Sequence, residues 1–451
     1  MLIRFVVTNF LSFNEEVEFN MLPSSFKTHK HHVYSVGKLN VLKAAAIYGA
    51  NGAGKSNLIK AIEFLQQAVE NGLLTKSVNE KKFKLDSKNT SLPVKFEIEI
   101  SINKKTFAYG VDFNENFIQN EWLYETNPTT DDKLIFERTT TKSGKSSVKV
   151  SPKYTKTQKQ KYLIELLEER LLKKNELLIG KSEELKFKEV NEVRNYILHS
   201  IVVIHPGSKF QGLVPKLTTS PIFKDFANEL LNTFDTGVSE LDVEIIDFDK
   251  FFGEDDEDLK KELIEAINNG ETVLLNTNIG GVLVTKENKK YIVKKVIAQH
   301  LNNDGIKIKF ELDEESDGTQ RLLDFIPAFE GILNQNITFI IDEIDQSLHP
   351  VLLKTLIQKV MSDETTKGQL IFTTHESNLL DLDIFRQDEI WFAEKRKPKG
   401  DTQLYSLSEF KPRYDLDIRK GYLKGRFGAI PFLAHLEDLN WHSTYEEETG
   451  V

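Results

Sequence analysis

Apolar residues alternate with polar ones at the start of the chain and recur at helical spacing soon afterwards. Residues 2–8 alternate and are rich in Val, Ile and Phe, which predicts a β-strand. A second apolar run, 41–48, ends abruptly at Gly49. Residues 56–71 then carry apolar side chains every three or four positions, which predicts a helix. The first part of the chain therefore predicts a strand, a glycine-rich turn and a helix in succession.

The middle of the chain changes character twice. Short alternating stretches over 92–150 predict an antiparallel meander with one buried face. Helical patterns dominate from about 155 to 270, and 162–178 is the clearest of them. Residues 271–312 return to strand-like alternation.

The last part predicts an α/β arrangement again. Its elements are a helix at 319–332, a strand at 337–342, a helix at 350–361, and strands at 369–374 and 389–393. The fold class that we expect is α/β, with an antiparallel β lobe and an inserted, mainly helical arm. The expected domains are the N-terminal half of a head (1–150), the insertion (151–290) and the C-terminal half of the head (291–451).

Composition restricts the class of protein. The 451 residues can hold two or three domains' worth of core at ~150 residues per domain. The net charge of −10 argues against a general polyanion binder, and the absence of cysteine excludes disulfides and thiolate metal sites. We find no signal-peptide pattern and no apolar run of about 18 residues, so we expect no membrane partner and a cytoplasmic location.

The turn after the second strand, GANGAGKS (49–56), fits the pattern G-x-x-x-x-G-K-[ST] at every fixed position. Its glycines let consecutive backbone N–H groups point at phosphate oxygens. Lys55 would neutralise the β and γ phosphates of ATP, and Ser56 would offer its hydroxyl to Mg²⁺. The predicted nucleotide-binding residues of this loop are Gly49, Ala50, Asn51, Gly52, Ala53, Gly54, Lys55, Ser56 and Asn57.

Two carboxylates, Asp342 and Glu343, end the apolar strand of FIIDEID. An apolar strand that ends in Asp can hold Mg²⁺ from its second side, and the adjacent Glu suits a general base. The alternative, a helix cap, fits Asp345 better. His375 ends the next strand, and in this order of elements we interpret it as a sensor of the γ-phosphate, although a lone histidine there is more often structural.

These motifs, in this order, resemble ABC-type ATPases of the SMC-like kind. DEIDQSLH (342–349) closely matches the Walker B and D-loop pattern DEIDAALD, with His349 in place of the final Asp. His375 matches the switch histidine of that family. SDGTQ (316–320) falls where the ABC signature belongs, one helix and one strand before the acidic pair.

The resemblance implies a role for this polar pentapeptide. In that family, the Ser and Gly at the start of the signature helix form an anion site that faces the ATP of a second subunit. Ser316 and Gly318 would therefore bind the partner's nucleotide, with Gln320 and Arg321 as further candidates. Asp317 stands where the family has a glycine and brings a negative charge near phosphate. Taken alone, the pentapeptide predicts an ordinary helix N-cap at Ser316 or Asp317.

A narrower resemblance covers about residues 1–140 and 290–432. It is to bacterial AAA15/AAA21-type ATPases, and the matching segments are VTNFLSFNEEVEF, YGANGAGKSNLIKAI, ESDGTQRLL, DEIDQSLHP, TTHESNLLD and GYLKGRFGAIPF. Members of this group resemble the ATPase components of abortive-infection and anti-phage systems of the PARIS, Septu and Rlo/AbiL types. The resemblance implies a separate effector beside the ATPase, such as a Toprim or HNH nuclease.

We therefore expect an Mg²⁺-dependent ATPase that forms a homodimer, or a higher homo-oligomer, through ATP sandwiched between heads. Glu343, His375 and Lys55 are the expected catalytic residues, and Ser56 and Asp342 the expected metal ligands. The resemblance implies a separate effector protein, a nuclease or toxin, and a phage trigger or DNA is a further candidate partner. In a second hypothesis, the protein is an SMC-like ATPase that clamps DNA for repair or maintenance. An ABC transporter subunit is disfavoured, because Ser56 and Ser316 are 260 positions apart.

Two further features of the sequence, a glutamine and a histidine-rich segment, are not assigned to the predicted site. Gln119 is a weak candidate for the glutamine of the ABC Q-loop. KTHKHH (27–32) holds three histidines in four positions, but no carboxylate recurs at ligand spacing, so we interpret it as a solvated loop.

Overall fold

The structure is a computed structural model, and it describes residues 1–73, 76–114, 117–209, 212–253, 257–269, 272–277, 280–413 and 416–430. The end of the expected C-terminal half, 431–451, lies outside the described residues. The N-terminal elements are β1 (Leu2–Thr8), β2 (Val17–Asn20), β3 (Val33–Val36), β4 (Leu39–Leu42), β5 (Ala44–Tyr48), α1 (Lys55–Asn71), β6 (Val94–Ile102), β7 (Lys105–Asn114), β8 (Phe117–Thr126), β9 (Lys133–Thr140) and β10 (Ser146–Val150).

The middle and C-terminal elements complete the described chain. The middle elements are α2 (Gln158–Leu166), α3 (Ser182–Leu185), α4 (Lys188–His199), β11 (Ile201–Ile204), α5 (Leu213–Thr219), α6 (Pro221–Thr233), β12 (Glu240–Asp247), α7 (Phe248–Phe252), α8 (Glu257–Asn268), β13 (Val273–Thr277) and β14 (Gly280–Glu287). The last elements are β15 (Lys290–Leu301), β16 (Lys307–Glu311), α9 (Asp317–Asn334), β17 (Thr338–Ile341), α10 (Pro350–Ser362), β18 (Gln369–Thr374), β19 (Ile390–Lys395), β20 (Thr402–Ser406) and α11 (Ile418–Leu423).

Two sheets form the head. A six-stranded sheet has the order β11-β17-β18-β5-β19-β20, parallel except for the last pair. A seven-stranded antiparallel sheet, β10-β9-β8-β7-β6-β1-β2, contains the predicted meander. This arrangement confirms the predicted fold class in its α/β character and its antiparallel β lobe.

Strand β5 is buried on both faces, as a central parallel strand should be. Ala45 and Ile47 face a core shared with α1 and the antiparallel sheet. Ala44, Ala46 and Tyr48 face the opposite core, which α9 and α10 cover. Burial of both faces explains why this strand is a continuous apolar run rather than an alternating one.

The side chain of Gln369 joins the two sheets. Its Oε1 atom accepts hydrogen bonds from the backbone N–H of Leu2 (2.6 Å) and the hydroxyl of Thr338 (2.9 Å). Its Nε2 atom donates to the carbonyls of Leu2 and Leu42, both at 3.0 Å. Because every polar atom of this buried amide is paired, the amide holds the antiparallel sheet in register against the parallel one.

The middle region contains more β structure than the pattern predicted. Strand β11 lies in the parallel sheet beside β17, and β12 joins the antiparallel sheet β12-β15-β14-β13. This third sheet crosses the predicted boundary at residue 290. The helices α2 to α8 do occupy the region. The domain limits themselves stay a prediction.

The predicted helix over 162–178 is wrong in its second half. Helix α2 ends at Leu166, and a single π-helical turn, Leu167–Leu171, follows it. Beyond that turn, the backbone N–H groups of Leu178 and the next residue donate to the buried carboxylate of Glu121, at 2.7 and 3.0 Å. The tertiary contact to Glu121 supplies these donors with partners, so the helical pattern does not continue.

No helix of the described residues is both long and apolar enough to cross a lipid bilayer.

Candidate functional site

Three parallel strands place the predicted site at one edge of the sheet. Strands β5, β18 and β17 are successive neighbours, so their carboxyl ends lie side by side. The residues that directly follow them are Gly49, His375 and Asp342. The strand order therefore brings together three motifs that are far apart in sequence.

The glycine-rich loop adopts a conformation that needs its glycines. Gly52 and Gly54 have φ angles of 73° and 108°, in a region that other residues rarely occupy. A Cβ atom on Gly54 would lie 2.1 Å from the Thr402 hydroxyl oxygen and 2.8 Å from that of Ser12. The loop is therefore closely backed by a terminal strand and the N-terminal segment, and α1 begins directly after it at Lys55.

The Lys55 ammonium lies in the cradle of its own loop. It donates to the carbonyls of Gly49 (2.8 Å) and Ala50 (3.3 Å), and its Nζ atom is 3.0 Å from His375 Nε2. Burial lowers the Lys55 pKa to about 8, opposed by nearby carboxylates, of which Glu343 is the strongest. Burial and the Lys55 charge lower the pKa of His375, so its neutral imidazole can accept from the ammonium.

A buried carboxylate joins the loop to the adjacent strands. The Ser56 hydroxyl donates to Asp342 Oδ1 over 3.1 Å, and the Thr373 hydroxyl donates to the same oxygen over 2.6 Å. Asp342 is 4% exposed and Thr373 is fully buried. Its other oxygen, Oδ2, has no part in these two bonds. The pair formed by Ser56 and Asp342 is thus held in place by a third residue, Thr373.

Glu343 is held by its backbone. Its φ angle of 50° is in the left-handed region, and its N–H donates to the Thr373 hydroxyl oxygen over 2.8 Å. A left-handed glutamate is uncommon and has a conformational cost of about 1–3 kcal/mol, which surrounding contacts must offset. The Asp345 carboxylate accepts the backbone N–H of His375 over 3.3 Å and joins the acidic turn to the tip of β18.

The predicted signature segment lies at the start of α9. Ser316 is the N-cap of this helix and accepts the N–H of Thr319 over 3.2 Å, so the plain N-cap interpretation is correct for this chain by itself. A Cβ atom on Gly318 would lie 3.1 Å from the carbonyl oxygen of Ser347, so the helix start packs on the turn after Asp342. Asp317 and Ser316 are both exposed. Within the described part of the chain, no hydrogen bond joins Ser316 to the glycine-rich loop.

The residues present fit a nucleotide and a divalent cation. The donor set for a hard cation is a hydroxyl and a carboxylate, Ser56 and Asp342, already 3.1 Å apart. Lys55 donates to carbonyl oxygens of the loop in the way that it would donate to phosphate oxygens. The loop glycines leave their N–H groups free of Cβ atoms.

The sequence pattern did not reveal several residues that support the site. Thr373 orders both acids, and its only signal was two threonines at the end of an apolar strand. Ser12 and Thr402 back the loop: the Thr402 hydroxyl lies 2.8 Å from Ser12 Oγ and from the Ala53 carbonyl. Gln119, the weak Q-loop candidate, lies on β8 of the antiparallel sheet, where it accepts a hydrogen bond from Asn114.

Comparison with known proteins identifies a family. The model of the AAA_21 family, described as "AAA domain, putative AbiEii toxin, Type IV TA system", matches residues 44–174 and 175–381. These ranges contain the glycine-rich loop, the signature segment, the acidic pair and His375. No curated protein sequence matches the chain.

Similar solved structures include head domains of SMC proteins. One, an SMC head bound to the C-winged helix domain of ScpA, is 14% identical, with a TM-score of 0.44, over 91% of this chain and 99% of that one. The SMC head domain from Thermotoga maritima is 12% identical, with a TM-score of 0.38, over 90% and 98% of the two chains. An SMC head with an extended coiled coil, bound to the C-terminal domain of ScpA derived from Pyrococcus furiosus, is 15% identical, with a TM-score of 0.38, over 91% and 97%.

Proposed function

The chain belongs to the AAA_21 family and is an ATPase of that type, and we propose that it hydrolyses ATP with Mg²⁺ in composite sites between two copies of itself. We further propose that this ATPase is the sensor and scaffold of a bacterial anti-phage system, and that it controls a separate effector.

One observation carries the ATPase part of the proposal. Ser56 of the glycine-rich loop and Asp342 of the acidic turn share a hydrogen bond, and Lys55 of the same loop lies 3.0 Å from His375. Four side chains from three separate motifs thus converge at one edge of the sheet. A chance glycine-rich turn would not bring a carboxylate and a histidine to the same loop.

The residues divide the chemistry among them. Lys55 and the loop N–H groups bind and orient the β and γ phosphates. Glu343 follows Asp342 directly and accepts the proton of the attacking water, a role that contributes about 10²–10⁴ in rate. His375 contacts the γ-phosphate side of Lys55 and reports its occupancy. Mg²⁺, held by Ser56 and Asp342, supplies neutralisation of phosphate charge when bound.

The second subunit completes each site. Ser316 and Gly318 start α9 with a side-chain hydroxyl, a bare backbone and the positive end of the helix dipole, which suits an anion. Ser316 is exposed. We propose that this end of α9 binds the γ-phosphate held by the partner, so that ATP binding closes the dimer and hydrolysis opens it.

The defence role is supported by the family description, which names an AbiEii toxin and a type IV toxin–antitoxin system. The conformational change of an ATP-sandwiched dimer offers a way to hold or release a toxic effector, such as a Toprim or HNH nuclease. A phage component would then act as the trigger.

Glu343→Gln tests the ATPase mechanism. The variant keeps the size of the side chain and removes the base, so we expect ATP binding to persist, turnover to fall by about 10²–10⁴, and the ATP-bound dimer to accumulate. Phosphate release and mass photometry measure the two effects. Glu364→Gln, at an exposed glutamate after α10, is the matched control. Normal turnover in Glu343→Gln would remove Glu343 from its role.

Phage plating tests the biological role. Cells that carry the gene for this protein with its neighbouring genes should restrict phage. Lys55→Ala should abolish restriction, because the variant lacks the ammonium group that binds the ATP phosphates. Lys60→Ala, an exposed position on the same helix, should restrict like the wild type. Equal plating on wild type and Lys55→Ala would refute the defence role while leaving the ATPase mechanism intact. ATPase activity that DNA stimulates with a steep salt dependence would favour the DNA-clamping hypothesis instead.

A further inference from the structure

Three histidines of the segment KTHKHH come together on a short turn. His29 has a φ angle of 47°, and a single 3-10 turn, Lys30–His32, follows it. The ring centroids of His31 and His32 are 4.4 Å apart, and those of His29 and His32 are 4.8 Å apart. His32 is 1% exposed, so the expectation of a solvated loop is wrong for this residue.

The cluster has the chemistry of a transition-metal site. One ring nitrogen from each of the three histidines lies within 4.8 Å of the others. Neutral imidazole is a preferred ligand of Zn²⁺ and of other late first-row divalent cations, with metal–nitrogen distances of about 2.0–2.1 Å. Binding of one ion at that distance would require the rings of His29 and His31 to rotate, so that the three nitrogens come closer together than the present 4.8 Å.

Two of the rings are oriented by outer partners. His29 Nε2 is 2.8 Å from the carbonyl oxygen of Leu382, which leaves Nδ1 as an acceptor. His32 Nδ1 is 2.9 Å from one carboxylate oxygen of Glu389 and 3.1 Å from the other, so Nε2 is the ring nitrogen that would face an ion. A metal-binding histidine almost always has such a partner, a carbonyl or a carboxylate, on its other nitrogen. The sequence could not reveal Glu389, because it lies 357 positions from His32.

Glu389 is itself fixed. It is fully buried, and its carboxylate accepts the backbone N–H of Arg386 over 2.8 Å. The nearby ammonium of Lys43 donates to the carbonyls of Met361 (3.2 Å) and Asp363 (2.7 Å), so its donors have oxygen partners of their own. The carboxylate partner of His32 is therefore already in place, and a bound cation would have to overcome the repulsion of the Lys43 charge.

The cluster lies at the edge of the parallel sheet opposite to the nucleotide site. The carbonyl of His32 accepts the N–H of Lys43, the residue just before β5, over 2.8 Å. The glycine-rich loop follows the other end of β5, at Gly49. The cluster thus belongs to a different part of the head from the residues assigned to ATP.

We propose that His29, His31 and His32 bind a divalent transition-metal ion of the zinc class. The ion would be held by the segment after β2 alone, which hydrogen bonds connect to Leu382 and Glu389 before β19, with a fourth coordination position left for water. In the competing explanation the cluster is purely structural, and the hydrogen bond between His32 and Glu389 connects the two segments without a metal ion.

Zinc titration distinguishes these two explanations. The chain, without a histidine tag and stripped with chelator, is titrated with Zn²⁺ in competition with a chromophoric chelator. We expect one equivalent to bind to the wild type. His29→Ala and His31→Ala should each weaken binding by at least the ~10–100-fold that loss of an outer-shell partner costs. His199→Ala, at an exposed histidine that ends α4, should bind like the wild type.

The outcomes are decisive because both test positions are only half-buried and their variants should fold. Circular dichroism and ATP binding check the fold of each variant, and Co²⁺ in place of Zn²⁺ gives a visible spectrum that reports nitrogen coordination. Absence of a one-equivalent site in the wild type would overturn the proposal and favour a purely structural, metal-free role for the cluster. Equal binding by wild type and by the His29→Ala and His31→Ala double variant would overturn it as well. Neither result bears on the ATPase mechanism.

Discussion

Thr373 holds the acidic turn of the proposed site, and its hydroxyl can be removed without a change of shape. The hydroxyl donates to Asp342 Oδ1 over 2.6 Å, and its oxygen accepts the N–H of Glu343 over 2.8 Å. Thr373→Val replaces this hydroxyl by a methyl group. In this variant, Asp342 keeps its hydrogen bond from the Ser56 hydroxyl and loses the one from residue 373. The backbone N–H of Glu343, whose φ angle is left-handed, loses its acceptor.

The structure gives the size of the expected effect. A hydrogen bond to a charged group contributes about 1.5–3 kcal/mol. One factor of ten in rate corresponds to ~1.4 kcal/mol, so loss of this bond in the active state predicts a fall in kcat of about 10–100-fold. The apparent affinity for Mg²⁺ should fall with kcat, because Asp342 is the proposed ligand.

Thr374→Val is the matched control. Thr374 is the next residue of β18 and is also fully buried. Its hydroxyl oxygen accepts the N–H of Glu376 over 2.9 Å, and within the described residues it bonds to neither Asp342 nor Glu343. The two variants therefore have the same change in chemistry and burial, and they differ in their contact with the proposed site.

The assay is steady-state phosphate release at saturating ATP over a range of Mg²⁺ concentrations. Binding of a fluorescent ATP analogue separates a loss of catalysis from a loss of nucleotide affinity. The reasoning would be refuted if Thr373→Val lowered kcat by no more than Thr374→Val does.

Three other predictions test other parts of the site. Ser316→Ala and Ser220→Ala each remove a helix N-cap with a 3.2 Å hydrogen bond, and each should lower the free energy of unfolding by about 0.5–2 kcal/mol. Only Ser316→Ala should lose ATP-dependent dimers in mass photometry. Equal loss of dimers in both variants would contradict the proposed binding of Ser316 to the partner's ATP. Gly54→Ala should abolish binding of an ATP analogue, because its Cβ would meet the Thr402 hydroxyl at 2.1 Å, whereas Gly207→Ala, with open space around it, should bind normally. The pKa of Lys55 is about 8 in the free site, and bound phosphates raise it. ATP binding near pH 8 and above should therefore take up protons, which calorimetry in two buffers of different ionisation enthalpy measures. ATP binding without proton uptake at pH 9 would contradict the lowered pKa.

Local sequence determined the parts of this protein that depend on neighbours in the chain. The glycine-rich loop was predictable because its glycines, Lys55 and Ser56 are contiguous, and because an apolar strand and a helical pattern flank it. The meander and the elements from α9 to β19 followed their hydrophobic periods for the same reason. The acidic pair was recognisable because a buried strand, β17, ends directly at it.

Tertiary structure decided every feature that depends on strand order. Sequence could not place β18 between β17 and β5, so it could not show that Thr373 would hold both acids. It could not show that the N–H of Leu178 would donate to Glu121 rather than continue a helix, or that Glu389 would contact His32. The physical reason is the same in each case: a buried polar group must find a partner, and the fold, not the neighbouring sequence, supplies that partner.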